Sequence, residues 1–523
     1  MSILTIFRRL GSACTVFFAP HGGVSRQARL RNCCRQRLYR EAQQVLDDLR
    51  DAELRDRWAG LQEQLTQARQ HAHDLQQRLE QAVEVSVPSQ ARFAATAQAL
   101  GVSLTQAHAL LAVLLGSRTP SVPTLGRYAQ AAARRAAATL AVVDEVARQR
   151  VRHLAADEIY CGRVPVLCAI EPDSLCWLVA RRLKPPATSA AWAEELACLP
   201  ALRYLVSDAG SALRKGVTLE QRRRQQAQAP TLRHGLDVFH VLHAGQRALR
   251  RMWRGVAQAI NHAERRQRLY DRRGRQGQPR NGHRQWLTRD WQQAEQAMDQ
   301  ARLVEGAWQK ARGVLTWFTP DGRLQSRAEA AATLAEAVPQ LVGPLWAATR
   351  GLLQRPQTLA FLDEAWEGVL AAEPEPATRA ALLELEGLRR QPERLRGESS
   401  AAAAARGVAL VAAVQLSKTD PAWPTRAARL RRVLRQAWRA SSLVECVNSV
   451  TRMQQTRHRR LTQGLFDLKR WYWNCRRFGR GVRKGQTPYD LLGVALPAGS
   501  WWDLLQRPAD QLRQELSTPP LAA

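Results

Sequence analysis

The hydrophobic positions after residue 53 alternate spacings of four and three, which is the heptad pattern of a coiled coil. The seam continues for about four heptads and is flanked by Gln, Arg, Glu and Asp, so residues 41–86 are predicted to form a coiled coil. Its partner is either another chain or a neighbouring helix, and the first case predicts a dimer. The seam consists of Leu54, Trp58, Leu61, Leu65, Ala68, Ala72, Leu75, Leu79 and Ala82.

Helical segments with basic positions lie on both sides of this seam. Residues 1–40 contain a Gly-Val-Ser turn before a basic run, which fits a helix-turn-helix and a basic helix beside a loop equally well. Residues 87–149 divide into three short helices, as in a DNA-binding domain or an ordinary small bundle. In the first case, we expect Arg127 to reach phosphates or base edges.

Near residue 150 the pattern changes to short β-like runs separated by Gly, Pro and Asp. Three successive runs, HLAADEIYC, RVPVLCAIEP and SLCWLVARRL, predict an antiparallel meander. A helix and the strand LRYLVSDAGS follow, which predicts a crossover and a mixed sheet. Residues 245–435 have an almost wholly helical pattern and are predicted to be an all-α insertion. The predicted domains are 1–40, 41–86, 87–149, 150–244, 245–435, 436–490 and 491–523.

The charge of the chain indicates a polyanionic partner. Lys and Arg outnumber Asp and Glu by 78 to 46 over 523 residues, giving a formal charge of +32. No run was expected to reach the roughly 20 apolar residues of a membrane span, so the prediction is a protein with no membrane partner. Nine cysteines without CxxC pairs indicate neither a disulfide framework nor a zinc ribbon, and favour a reducing cytoplasm.

Two aspartates in the β-like region are candidate metal ligands. Asp157 lies within the first run, where strand alternation sends Glu158 to the opposite face. Asp208 closes the later strand beside Gly210, where a ligand can approach the sheet edge. Carboxylate oxygens suit Mg²⁺, and a pair of Mg²⁺ ions can drive phosphodiester displacement.

The third predicted ligand is Glu445, an isolated acid in a basic neighbourhood. Asn448 and Arg452 follow it at helical spacings of three and seven, so the three side chains share one face. On that face, we expect the carboxylate to bind metal and the amide and the guanidinium to bind DNA. The predicted DNA-binding track continues through Arg457, Arg459 and Arg460.

Asp237 and His240 precede a basic helix and leave alternatives open. His240 is predicted either to position DNA or to assist proton transfer, and Asp237 could replace Asp208 as a ligand. A structural hydrogen-bonding role is an equal alternative for each of them. The spacing of His240 and His243 is too weak a signal for zinc.

Several segments in this order resemble the DDE transposases of bacterial insertion sequences that carry a helical insertion before the final Glu. The similarity covers roughly half the chain, and the 237 positions between Asp208 and Glu445 require such an insertion. The segments are DEIYCGRVPVLCAIEPDSLCWLVARR, VSDAGSALRKG, DVFHVLH, SSLVECVNSVTRMQQTRHRRLTQGLFDLKRWYWNCRRF and the tail RKGQTPYDLLGVALPAGSWWDLL.

The resemblance implies a mixed α/β ribonuclease-H-like catalytic core, interrupted by an all-α insertion and preceded by helical DNA-binding and coiled-coil segments. It implies that Asp157, Asp208 and Glu445 hold two Mg²⁺ ions, which Mn²⁺ can replace. The implied reaction is cleavage at transposon ends and strand transfer into target DNA, by a homodimer or higher synaptic oligomer in the bacterial cytoplasm, on the nucleoid. The alternatives are a non-catalytic DNA-binding regulator or degenerate transposase, and a structure-selective ribonuclease-H-like nuclease.

Overall fold

The computed structural model divides the chain into two units, residues 1–86 and 87–523. Helices predominate, at 72%, and one five-stranded mixed sheet lies in the second unit. The structure describes residues 3–18, 22–50, 52–81, 85–186, 188–208, 210–394, 400–455 and 461–517.

The first unit consists of helices, and its last one carries the predicted heptad seam. That helix runs unbroken over 30 residues, as the apolar period of 3.5 favours. Its seam side chains Trp58, Leu61, Leu65 and Leu75 are all exposed in the single chain. The helices are α1 (Ile3–Phe18), α2 (Gly23–Leu30), α3 (Arg35–Arg50) and α4 (Ala52–Gln81).

The second unit begins with three helices, and the first and third of them share one Ala-rich hydrophobic core with the sheet. The second helix packs against the other two in a smaller core. Residues 87–149 therefore belong to the same compact unit as the strands. The Ser103 and Ser121 hydroxyls cap two of the helices by accepting backbone N–H bonds. They are α5 (Val87–Ala99), α6 (Leu104–Leu115) and α7 (Val122–Ala147).

The predicted meander and crossover are confirmed. The strand order is β3-β2-β1-β4-β5; β1 pairs antiparallel with β2, and β2 with β3, whereas β4 and β5 run parallel to β1. Helices supply the crossovers that parallel strands need. The elements are β1 (His153–Cys161), β2 (Val164–Glu171), β3 (Cys176–Arg182), α8 (Ser189–Ala197), β4 (Tyr204–Ser207), α9 (Ser211–Gln226) and β5 (Arg233–Leu236).

The two faces of the sheet are covered by different helices because side chains alternate along each strand. Leu154 and Ala156 of β1 face a core shared with α7, α8 and α9. Ala155 and Ile159 face the opposite side. Asp157 belongs by alternation to this second face.

A long helical segment separates β5 from the last part of the sheet unit. Trp308 and Trp346 are buried in its core, whereas Trp286 is half exposed beneath the Arg266 guanidinium. The helices are α10 (Val238–Arg275), α11 (His283–Gly313), α12 (Arg327–Ala337), α13 (Ala347–Leu353), α14 (Ala360–Ala372), α15 (Pro376–Arg394), α16 (Ser400–Thr419) and α17 (Trp423–Gln436).

Helix α16 corrects the expectation that no run is long and apolar enough to span a membrane. It satisfies that test by length and composition, because its Ala-rich sequence counts as apolar throughout. One such helix in the described chain is weak evidence for a span, and α16 packs beside α15 as the second arm of a hairpin. A soluble protein remains consistent with this arrangement.

The chain returns to the sheet after α17. Trp502 is buried in the core of α7 and the sheet, and the Trp471 indole N–H donates to the Trp501 carbonyl, so the C-terminal tail packs on the core. The last helices are α18 (Glu445–Gln455), α19 (Gln463–Cys475), α20 (Pro488–Leu492), α21 (Trp501–Gln506) and α22 (Ala509–Ser517).

Candidate metal centre

Strand β1 presents Asp157 on the face opposite to Glu158. The Glu158 carboxylate accepts a 2.6 Å hydrogen bond from the Trp192 indole N–H, on the α8 side of the sheet. Asp157 is directed to the other side, where its Oδ2 atom accepts from the Asn448 amide at 2.7 Å. The two adjacent acids therefore lie in different environments on opposite faces of the sheet, as the strand alternation predicts.

Asp208 lies next to Asp157 because of the strand register. Parallel pairing of β1 with β4 aligns Ala156 with Ser207, and the next residue on each strand is an aspartate. The Asp208 Oδ1 atom accepts a 2.9 Å bond from the Gly210 N–H, which fixes the carboxylate at the end of β4. Two segments about 50 residues apart thus supply neighbouring carboxylates by the ordinary geometry of a parallel pair.

Glu445 is brought to the same place by the segment between α17 and α18. The Tyr204 hydroxyl of β4 donates to the Trp438 carbonyl at 2.8 Å, and the Val238 N–H donates to the Arg439 carbonyl. Val444 and Val447 are fully buried against the Asp157 face of the sheet. These contacts anchor the start of α18 beside β1 even though the helical insertion precedes it.

The pKa of Asp157 reflects the proximity of the other two acids. Burial first, and then the negative charges of Asp208 and Glu445, raise the pKa of Asp157 to about 6. A nearby His240 acts in the opposite direction. Carboxylates this close to one another disfavour each other's ionisation. The carboxylate ligands of a bound cation are grouped in the same way.

Asn448 has a different role from the DNA contact expected of it. Its side chain is fully buried, because the turn of α18 that carries it packs onto β1, and its amide N–H donates to Asp157. Its Oδ1 atom is also buried and has no hydrogen-bond partner among the described residues. A buried amide placed in this way orients Asp157 and leaves one oxygen unsatisfied beside the carboxylates.

Arg452 lies on the exposed side of α18. Its guanidinium pairs with the Glu445 carboxylate at 2.8 Å, and both side chains are about half exposed (54% and 51%). Within the described residues, the ligand atoms of Asp157, Asp208 and Glu445 do not form a group as compact as 4.8 Å. Glu445 is held by its ion pair, so ligation of a shared ion requires its carboxylate to turn from Arg452 towards Asp157.

Asp237 is a structural residue. Its Oδ1 atom accepts from the Phe239 N–H and caps α10, while Oδ2 accepts from both the N–H and the hydroxyl of Ser441, at 2.9 and 2.6 Å. Although burial acts to raise it, the bonds from His240 and Ser441 leave the pKa of Asp237 below its usual value. With both oxygens occupied, Asp237 joins α10 to the segment before Glu445.

His240 extends from α10 towards the carboxylates. Its Nδ1 atom lies 3.2 Å from Asp237 Oδ2, and the ring is half exposed. The bond to Asp237, together with the charges of Asp237, Asp208 and Asp157, raises the pKa of His240. This arrangement fits all three roles considered for His240, which are a contact to a DNA phosphate, a proton transfer and a structural hydrogen bond to Asp237.

The other predicted DNA-binding residues are Arg127, Arg457, Arg459 and Arg460. Arg127 is exposed on α7 and donates to the Thr124 hydroxyl at 3.0 Å. Arg457, Arg459 and Arg460 lie outside the described residues.

A second acidic group lies near the start of β1. Ligand atoms of His153, Glu171 and Asp173 lie within 4.8 Å of one another. Protein groups already engage each of them: His153 contacts Glu364, Ser174 donates to Glu171, and Gln436 donates to Asp173. These internal bonds account for the cluster without a metal ion.

Sequence reasoning missed Ser441 and the positioning role of Asn448. Ser441 follows an Arg-rich stretch, precedes Ser442 and has no motif around it. The three-residue spacing of Asn448 from Glu445 was the available signal, but it identifies a shared helix face and not which part of that face is buried. Comparison with family models, curated proteins and solved structures gave no match.

Proposed function

We propose that the chain is a DNA transposase of the DDE type. The observation that carries this proposal is the convergence of Asp157, Asp208 and Glu445, from three separate segments, at one edge of the mixed sheet. The meander, the crossover and the two parallel strands fit a ribonuclease-H-like core. The helices from α10 to α17 fit the insertion that the resemblance requires before the final Glu.

The donor atoms at this site suit Mg²⁺, with Mn²⁺ as a substitute. Clustered carboxylates provide hard oxygen ligands, and the unpartnered Oδ1 atom of Asn448 is a further oxygen beside them. Two bound ions would neutralise the scissile phosphate and activate the attacking oxygen. Asp157, Asp208 and Glu445 would hold them, while Asn448 fixes the orientation of Asp157.

The remaining residues of the site act on DNA and on protons. Release of Glu445 frees the Arg452 guanidinium for a phosphate oxygen next to the cleavage point. His240, supported by Asp237, faces the same carboxylates and can donate a proton to a departing 3′-oxygen. The products would be cleaved transposon ends, whose 3′-hydroxyls are then joined to target DNA in the cytoplasm.

We further propose that α4 associates with the α4 of a second chain, giving a homodimer or a higher synaptic oligomer. Its heptad seam is exposed along the described part of the helix, and burying that seam against an identical one is the usual outcome for such a pattern.

The test is Mg²⁺-dependent cleavage and joining of DNA that carries the element's own ends. We expect Asp157→Ala, Asp208→Ala and Glu445→Ala to bind this DNA and to do neither reaction. The matched controls are Glu158→Gln, on the other face of β1, and Asp173→Asn, in the second acidic group; both should retain activity. Binding without cleavage by the wild type supports a regulator, and cleavage of branched DNA without joining supports a structure-selective nuclease.

A further inference from the structure

Helices α15 and α17 enclose a groove that is lined by arginine, with a volume of about 1430 Å³. It lies away from the metal centre, on the side of the sheet where β2 ends and β1 begins, since Asp173 is on its rim. We call it the arginine groove. Its basic residues are Arg389, Arg390, Arg429, Arg431, Arg432, Arg435 and Arg483.

The acids of the arginine groove do not neutralise these cations. Among the described residues that line the groove, two are acidic. Glu386 is buried and pairs with Arg390 at 2.8 Å, while the Asp173 carboxylate accepts from the Gln436 amide. Within the described residues, Arg429, Arg432 and Arg435 have no ion pair or hydrogen-bond partner on their side chains, and all three are exposed.

The fold fixes these arginines on one face of α17. Ala427, Leu430 and Leu434 are buried in the core of the insertion, which directs positions 429, 432 and 435 into the groove. At this spacing, the Cα atoms of successive arginines are about 4.5 Å apart along the helix axis. Like charges one turn apart destabilise a helix, and a polyanion bound along this face would offset the repulsion.

The floor of the arginine groove is rigid. The Trp317 ring lies under the Arg390 guanidinium, 4.9 Å from its centroid, and the Trp317 indole N–H donates to the Ala437 carbonyl just after α17. Trp317 therefore ties the two helices together. A preorganised, concave cationic surface of this kind favours a rigid polyanion over isolated small anions.

We infer that the arginine groove binds the phosphate backbone of a DNA duplex, at a distance from the cleavage point. The volume exceeds that of a typical small-molecule pocket, roughly 300–1000 Å³, whereas a duplex presents a phosphate about every 1.7 Å of its axis. The choice of DNA rests on the proposed function. Gln436 is on the groove rim and Glu445 begins α18 nine positions later, so one duplex can contact both regions.

The experiment measures binding of a random 30-base-pair DNA duplex to the full chain, by fluorescence anisotropy over a range of salt concentrations. The groove variant is Arg429→Gln, Arg432→Gln, Arg435→Gln. A control with the same loss of charge is Arg268→Gln, Arg302→Gln, Arg323→Gln, whose arginines are exposed and already paired with acids. Each guanidinium that contacts a phosphate contributes about 0.9 to the slope of log affinity against log salt.

For the groove variant, we expect Kd to rise about tenfold or more near 0.1 M salt, and the salt slope to fall by roughly two to three. The control should shift Kd less than threefold. Lysine at the same three positions should restore the slope. If the glutamine variant does not fold, as judged by circular dichroism, the three single variants should lower the slope in steps of about one.

Equal losses for the groove variant and its control would overturn the inference, and so would tighter binding of an RNA duplex of the same sequence that depends on these arginines. Failure of the arginine groove inference can be distinguished from failure of the proposed reaction at the metal centre. A wild type that binds through the arginine groove but never cleaves contradicts the proposed reaction alone. Cleavage that depends on Asp157 with an unchanged groove variant contradicts the arginine groove alone.

Discussion

The candidate metal centre, which consists of Asp157, Asp208 and Glu445, and the arginine groove are two charged regions of opposite sign, and they are built in opposite ways. Asp157 is mostly buried and is held by Asn448, whose position depends on chain segments nearly 300 residues apart. Arg429 and Arg432 are exposed and have no described ion-pair partner, and one helix face positions them. Binding a metal ion requires ligand atoms at fixed positions, whereas attracting phosphates requires several positive charges close together.

This difference leads to different responses to mutation. Changes at the metal centre should alter the reaction, the folding stability or both, since Asp157 is mostly buried, Asn448 is fully buried and the two share a hydrogen bond. Changes in the arginine groove should alter DNA affinity in small, salt-dependent steps and leave folding stability intact.

The largest expected effect is the loss of activity in Asp157→Asn. Removing one metal-ligating charge should reduce cleavage about a thousandfold or more, equivalent to about 4 kcal/mol. Thermal unfolding at pH 8 without metal should show an equal or higher Tm than the wild type, because the buried charge is gone. A variant that is inactive and also less stable would show that Asp157 is a structural residue.

Asp237→Ala should give the largest loss of stability. It removes the cap of α10 and leaves the Ser441 N–H and hydroxyl buried without an acceptor, which should cost about 3 kcal/mol. Urea unfolding followed by circular dichroism measures this loss. Asp321→Ala, at an exposed turn, is the control and should change little; an unchanged Asp237→Ala variant would contradict the structural role.

The ionisation of Asp157 predicts a pH dependence of stability. Its pKa of about 6 lies above the usual 3.8, so the folded chain binds this proton more tightly than the unfolded chain. Its contribution is therefore fully present below about pH 4 and is lost as pH rises through about 6, roughly 2 to 3 kcal/mol in all. The measurement compares unfolding of wild type and Asp157→Asn at pH 4 and pH 7 in EDTA; the same difference at both pH values would contradict it.

Asn448→Ala should have an intermediate effect on the reaction. Loss of a group that orients a metal ligand typically costs ten- to a hundredfold in metal affinity or activity, so the Mg²⁺ concentration for half-maximal cleavage should rise. Ser449→Ala, on the exposed side of the same helix turn, should behave as wild type. Reduced DNA binding at saturating Mg²⁺, with an unchanged Mg²⁺ requirement, would instead favour the DNA contact first expected of Asn448.

The smallest effect is expected for Arg432→Gln. Loss of one exposed phosphate contact should weaken DNA binding severalfold at about 0.1 M salt and should not change Tm. Anisotropy titrations and thermal unfolding test the two statements. A large loss of stability would show that this arginine contributes to folding, as the buried groups of the metal centre do. The two regions would then no longer differ in their response to mutation.

Much of the sheet could be predicted from the sequence because its signals are local. The β-like runs around Asp157 and Trp177 alternate or remain apolar over strand-like lengths, and the structure has strands at both. The heptad period likewise predicts the continuous helix α4. The sequence predicts Asp157 and Asp208 as ligands of one metal site, and the parallel pairing of β1 with β4 places the two residues next to each other.

The roles of Asn448, Asp237 and Ser441 could not be predicted in the same way. A helical period shows that Glu445 and Asn448 share a face, but burial depends on where Val444 and Val447 pack. The groove between α15 and α17 had no signal either, because Arg390 and Arg432 come together only through the fold of the insertion.

The sequence by itself therefore determined the strands, the long helices, the excess of positive charge and the acids able to bind metal, since period, composition and residue chemistry are local properties. The tertiary structure decided which of those acids converge, which amide is buried beside them and which arginines remain unpaired. These depend on packing between segments that are hundreds of residues apart, and burial and partner choice are properties of that packing.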